Sequence, residues 1–240
     1  MNLKSFAMGA LACAILVGVY HLQHVAAELS DDSGGAKYVG KIDIKDSPYY
    51  AHPDVYNLQP NANLLILPHF KTKQQIKNYT CGPCAAGMVV ENLAGRDLHS
   101  EAEIAKIMGT STTKGTDTNG MVKYFKHIGW QVESSEEKGS PKSYEEFLKF
   151  VVKYLKAGTP VIVENIDWGG HWRVIIGYDT MGTEYTGDDV LLLADPLDIT
   201  DHLQDGYNVV PAQRFYSMWF DDHLFAEGHK MKLWLAARPK

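Results

Sequence analysis

Residues 79–88, YTCGPCAAGM, decide how the rest of the chain is read. Cys81 and Cys84 frame a Gly-Pro pair, and an alanine-rich run follows. Pro83 suits the first turn of a helix, where a missing N–H costs nothing, so the stretch predicts a helix over Gly82–Leu93 with Gly95 as its stop. At such a helix start the dipole and the free amides stabilise a thiolate. One chemistry would use both thiols as a redox pair. The other would use Cys81 alone as a nucleophile.

The residues before the motif argue against the redox pair. A redox dithiol sits on a helix that follows a buried apolar strand within a βαβ unit. Here KTKQQIKNYT, residues 71–80, leads in, and Ile76 is its single aliphatic residue. Thr159-Pro160 has the look of the proline loop that faces such a dithiol, but it reads equally as an ordinary strand start. A thiol–disulfide oxidoreductase using Cys81 and Cys84 stays as the alternative.

A cysteine nucleophile needs a histidine to take its proton, a group to orient that histidine, and donors for an oxyanion. The stretch GGHWRVIIGYD, residues 169–179, offers His171 at the head of an apolar strand after two glycines that leave space beside the ring. Taken alone, His171 reads as a strand-edge histidine; Cys81 is what gives it a role. Asp179 lies eight residues along the same strand, too far at roughly 3.3 Å per residue to reach the ring. Asp195 ends the next strand, LLLADP, and an antiparallel neighbour returns to the level of His171, which makes Asp195 the orienting candidate; an Asp-Pro there is also a common turn. Trp168 and Trp172 flank His171 and read either as cleft walls or as core aromatics.

Around these motifs the pattern is helices first, strands later. Ser100 with Glu103 and Ser143 with Glu146 have the spacing of capping boxes, and Asn119–Trp130 has apolar residues at helical spacing. NLLILPHF, residues 63–70, reads as a first strand, and PVIVEN, HWRVIIGYD, DDVLLLADP and MKLWLAA as the later ones. This order predicts an α+β fold, a helical N-terminal part packed on a C-terminal antiparallel sheet.

The first 27 residues have Lys4, an apolar run from Phe6 to Tyr20 and small residues at 25–27, the layout of a secretory signal peptide. The run is short for a membrane span, so the expectation is an exported, periplasmic or secreted chain of bacterial type, with an uncleaved signal anchor as the other outcome. Residues 28–63 read as a polar linker or irregular segment and 64–240 as one domain. Removing the signal takes away Lys4 and Cys13 and moves the net charge from −6 to −7. So acidic a chain, without a basic run, has no footprint for nucleic acid. Its two remaining cysteines are those of the opening stretch, and export would permit them to pair. His52, His69, His99, His127, His202, His223 and His229 show no metal-ligand spacing, and Asp221-Asp222-His223 reads as a solvated turn. The nucleophile chemistry calls for neither cofactor nor metal, and its partner is a peptide or protein substrate. Asn78-Tyr79-Thr80 matches a glycosylation sequon, but a glycan there would crowd the thiol.

Gln75 six positions before Cys81, then CGPCAAGMVVENL, HWRVIIGYD and ADP, together resemble the double-glycine leader peptidase family that processes bacteriocin precursors, and its secreted papain-like relatives. The resemblance runs over roughly residues 64–200. It implies a papain-like fold with Cys81 as nucleophile, His171 as general base and acid, Asp195 as orienter, and Gln75 giving its side-chain amide to the oxyanion; Gln74 would take that role if the loop slipped by one residue. Three features depart from the family: this chain has no transporter segments, Cys84 stands where a small residue is usual, and the family includes silent peptide-binding members although all four positions are filled here.

Overall fold

In a computed structural model of the chain, the described residues are 53–199, 203–220 and 232–240, all within one unit spanning Gly34–Lys240. The signal peptide expected over 1–27, most of the polar segment assigned to 28–63, and the turn at 221–223 lie outside them.

The buried stretch after Gly158 supplies the sheet. Its strands are β3 (Val161–Asn165), β4 (His171–Asp179), β5 (Val190–Ala194), β6 (Tyr207–Pro211) and β7 (Trp234–Arg238), joined by β1 (Leu64–Ile66) and β2 (Gln131–Ser134). Among the described residues the order is β2-β7-β3-β4-β5-β6, with β1 beside the far end of β4, and every pairing is antiparallel. A bulge at Ile176/Gly177 interrupts β4 against β5. A Cβ on Gly177 would stand 3.1 Å from Leu192 Cβ and 3.2 Å from Ile66 Cγ1, so only glycine lets both neighbours close over the bulge.

Six helices occur among the described residues: α1 (Cys81–Ala94), α2 (Glu101–Met108), α3 (Thr118–His127), α4 (Ser135–Lys138), α5 (Tyr144–Lys156) and α6 (Ala212–Ser217). On one face of the sheet α1 to α3 meet Ile162, Trp172, Val174, Ile176 and Leu192. On the other, Phe147, Val151 and Leu155 of α5 and Phe215 of α6 meet Val161, Val163, Ile175 and Leu193. The fold is α+β as expected, but the helix opened by Ser143 covers the face opposite the nucleophile helix, so the sheet is a middle layer. Fully burying a side chain such as Phe147 or Ile175 contributes about 1.5–3 kcal/mol, which is why both faces are closed.

Local signals account for most element ends. Helix α1 stops at Gly95, at φ 73°, and Pro83 lies in its first turn. Ser100 and Glu103 make the reciprocal capping box. At α5 only half of it forms: Ser143 Oγ accepts from Glu146 N–H, while the Glu146 carboxylate accepts from Lys142 N–H. The helix expected over 119–130 runs from Thr118 to His127 and is capped by the Asp117 side chain.

From Cys81 to Val90, α1 is buried on every side, so small residues set how closely it packs. A Cβ on Gly82 would lie 3.1 Å from both Met121 Sδ and Thr116 Cβ. Gly82→Ala is therefore expected to cost about 1–3 kcal/mol in stability, an overpacking penalty that shows in a denaturant melt, and to lower turnover because the shift falls beside Cys81. A melt and a kcat both equal to the parent's would contradict it.

Candidate active site

The strand register sets His171 beside Asp195. β4 pairs with β5 so that Val174 faces Ala194, and Asp195 follows directly. His171 Nε2 lies 2.7 Å from Asp195 Oδ1, both residues being buried. An ionised carboxylate only accepts, so Nε2 carries the hydrogen and Nδ1 is the nitrogen left with a lone pair. Asp179 sits at the far end of β4, opposite Leu64 and Val190, out of reach as the spacing predicts.

Asp195 holds several groups together. Its Oδ1 also accepts from Leu197 N–H at 2.8 Å, and Arg173 Nε stands 2.7 Å from Oδ2 as an ion pair. Burial alone pushes this carboxyl up, but the charges of His171 and Arg173 and the hydrogen bonds outweigh it and hold the pKa at about 2, below the ordinary 3.8. A folded value below the unfolded one stabilises the fold above about 3.8, and the gain is lost as the pH falls from there toward 2. Asp195 alone is thus expected to account for about 2 kcal/mol of acid destabilisation over that interval, read from urea midpoints. Asp195→Asn should flatten the fall; an unchanged slope would contradict the assignment.

Cys81 is the first residue of α1 and is buried. Its thiol takes a hydrogen bond from the backbone N–H of Trp172, the residue after His171, and one from Gly82 N–H. The head of the helix therefore meets the head of β4. Burial pushes the thiol up to about 12, the Trp172 and Gly82 amides pull it down, and the Glu164 and Asp195 carboxylates push it up. Such a thiol keeps its proton until an imidazole takes it. Thr80, the residue before the helix, makes no side-chain cap, since its hydroxyl meets Lys77 O and Glu101 instead. The first amides of α1 are left without that acceptor.

The loop before Cys81 is tied down residue by residue. Gln74 donates through Nε2 to Asp195 O at 2.8 Å and accepts from Asp198 N–H at 3.1 Å, so both ends of its amide hold the 195–198 turn. Gln75 is wholly buried; its backbone N–H donates to Pro196 O, and its Nε2 donates to Lys77 O at 2.7 Å. Glu101 accepts from Ile76 N–H and from the Thr80 hydroxyl, and Cys84, whose single S–H donates to Lys73 O at 3.5 Å, lies beside the same carboxylate. Both cysteines are free thiols here, and Cys84 fastens the loop that carries Gln75.

The two tryptophans separate. Trp172 is core, with Nε1 donating to Thr116 O. Trp168 is half exposed, holds φ 53° in the turn Asp167–Gly169, and sets its ring edge-on to His171 at 5.1 Å. A cleft of about 1000 Å³ opens beside it, lined by Asn165, Asp167, Trp168, Arg173, Tyr207 and Phe215 among others.

Sequence reasoning passed over Arg173, Glu164 and Glu101. A signal existed for the first two, since each is a charged residue inside an apolar strand and a buried charge requires a partner. Nothing in the sequence around Glu101 set it apart from a helix-start acid.

A helix-borne thiol at the head of an antiparallel strand whose histidine is held by a carboxylate from the next strand is the architecture of a papain-like cysteine peptidase. Residues 68–222 match the Peptidase_C39 like family, and the chain belongs to it. It is similar in fold to the peptidase domain of ComA from Streptococcus, a bifunctional ABC transporter involved in a quorum-sensing pathway, with a TM-score of 0.50 and 21% identity over 72% of this chain and all of that one. A Bacillus anthracis chain described as a C39-like peptidase gives a TM-score of 0.49 at 16% identity, covering 74% of this chain and 98% of that one. No curated protein sequence matches the chain.

Proposed function

We propose that this protein is an exported cysteine hydrolase that cleaves peptide bonds with Cys81, His171 and Asp195. The observation that carries the reading is the buried His171–Asp195 pair, which leaves Nδ1 unprotonated at the strand head where the Cys81 thiol is held by the Trp172 amide. His171 Nδ1 takes the thiol proton as sulfur attacks the carbonyl carbon, and the resulting oxyanion is met by the Cys81 amide and by Gln75, whose second side-chain N–H is not the one donated to Lys77. His171 then gives its proton to the leaving amine. A water, deprotonated by the same ring, attacks the thioester, and the acid departs as sulfur regains the proton. An amine in place of water would turn hydrolysis into acyl transfer with the same residues. The N-terminal 27 residues support the export part of the proposal.

The test incubates the reduced protein with a mixed peptide library and follows new termini by mass spectrometry, with a slow-deacylating ester to trap the intermediate. Cleavage together with an acyl adduct on the peptide bearing Cys81 is the expected result. Insulin reduction without any cleavage would replace the reading with an oxidoreductase. Neither cleavage nor adduct would leave a peptide-binding domain.

A further inference from the structure

We infer that Arg173 is a positioning residue for this chemistry: it locks the Asp195 carboxylate and the Trp168 turn around the His171 ring, so that the imidazole keeps one orientation whether neutral or charged. The inference rests on the peptidase reading above. His171 and Arg173 are two apart on β4 and therefore share a face of the sheet, with Asp195 arriving between them from β5. Arg173 Nε stands 2.7 Å from Asp195 Oδ2, and Nη1 of the same guanidinium stands 2.7 Å from Asp167 Oδ2. Asp167 opens the turn in which Trp168 adopts a left-handed backbone and reaches the imidazole edge-on. The contacts close a ring, from His171 to Asp195, Arg173, Asp167, Trp168 and back.

Each link has a consequence for the ring nitrogen that does the chemistry. Oδ2 of Asp195 is pinned by the guanidinium, so Oδ1 stays aimed at Nε2 instead of rotating away. A non-glycine residue in the left-handed region is costly, and the Asp167–Arg173 pair ties the side chain at the base of that turn, adding to the backbone bonds from Gly169 N–H to Ile166 O and from Gly170 N–H to Asp167 O. The guanidinium is nearly all buried and bridges two carboxylates, a geometry that a flexible ammonium does not reproduce. Among the described residues, other charged or titratable groups near these are Cys81 on α1 and Glu164 on β3, with Tyr207, Arg214 and Asp205 lining the adjoining cleft.

The charges make the role separable from plain structure. With the cation removed, the Asp195 carboxyl is protonated at higher pH, so the acid limb of the rate profile moves upward. The experiment follows hydrolysis of a fluorogenic peptide across both limbs for the full-length parent, Arg173→Gln, Arg173→Lys and Asp167→Asn, with Cys81→Ala as background. Arg173→Gln is expected to lose about 100-fold in kcat with little change in KM, and to shift the acid limb up by roughly one unit. Arg173→Lys should return the acid limb toward the parent's while recovering only part of kcat. Asp167→Asn, which alters a partly exposed group, should lower kcat about fivefold. An acid limb that stays in place in Arg173→Gln, with or without a lower kcat, overturns the inference. If Arg173→Gln does not fold, an Asp167→Asn enzyme with the parent's kcat and profile overturns it instead. A parent without Cys81-dependent turnover overturns the peptidase reading and the inference together, whereas Cys81-dependent turnover that Arg173→Gln leaves untouched overturns the inference alone.

Discussion

Cys81→Ala is expected to bring peptide hydrolysis down to background, a loss of about 10⁵- to 10⁶-fold in kcat, while Cys84→Ala keeps kcat within about threefold of the parent. The asymmetry follows from where the two thiols sit. Cys81 is the first residue of α1, bonded by the amides of Gly82 and Trp172 at the head of the strand that carries His171. Removing its sulfur removes the proposed nucleophile, and no other described group takes hydrogen bonds from those amides in its place. Cys84 lies one turn further along, its thiol donating to Lys73 O beside the Glu101 carboxylate. Alanine there forfeits one weak hydrogen bond worth about 1 kcal/mol in a pocket whose main ties, Glu101 to Ile76 N–H and to Thr80, persist. The measurement is kcat/KM for a fluorogenic peptide on each variant, with an epoxide inhibitor mapped to its cysteine by mass spectrometry. Equal losses in the two variants, together with insulin reduction by the parent, would sink the assignment and restore the redox pair.

The contrast also shows what the sequence could and could not reveal. Cys81, His171 and Asp195 were legible because each sits at an element boundary that its neighbours announce: Pro83 after the first, Gly169-Gly170 before the second, Pro196 after the third. Register did the rest, since antiparallel strands of known length return to a predictable level. Strands β2 and β6 were not legible. QVES is short with Val132 its one apolar residue, and YNVVP ends in a proline, so neither offers the alternation that marks a strand. The side of the sheet that α5 covers was hidden as well, because an amphipathic pattern marks a buried face without saying which face of a sheet it meets. Cys84 looked like half of a pair because its partners, Lys73 O and Glu101, lie eleven and seventeen residues away on separate segments. Arg173 was visible as an odd charge in HWRVIIGYD, but its two carboxylate partners belong to a turn and to another strand.

Asp195→Asn is expected to lower kcat by about 10³- to 10⁴-fold at neutral pH and also to cost about 3–5 kcal/mol in stability. The catalytic loss comes from the tautomer. As a carboxylate, Asp195 can only accept, which fixes the hydrogen on His171 Nε2 and the lone pair on Nδ1, the nitrogen that must take the thiol proton. An asparagine can present either oxygen or NH₂. With Leu197 N–H already donating to the Oδ1 position and Arg173 facing the other oxygen, the amide cannot satisfy both neighbours and the imidazole at once. Whichever way it turns, a donor faces a donor, or the imidazole loses the acceptor that stabilised its cation. The stability loss has a different origin: Arg173 is buried, and the substitution removes one of its two counter-charges, leaving Asp167 alone to compensate it. The two effects are separable by measuring kcat and a urea melt on the same preparation, then repeating both for Asp195→Asn with Arg173→Gln. The double variant should regain much of the stability, since no unpaired cation remains, and none of the rate, since the imidazole still lacks its carboxylate. An asparagine variant within tenfold of the parent's kcat would show that the carboxylate does not set the tautomer, and would shift the orienting role to another group.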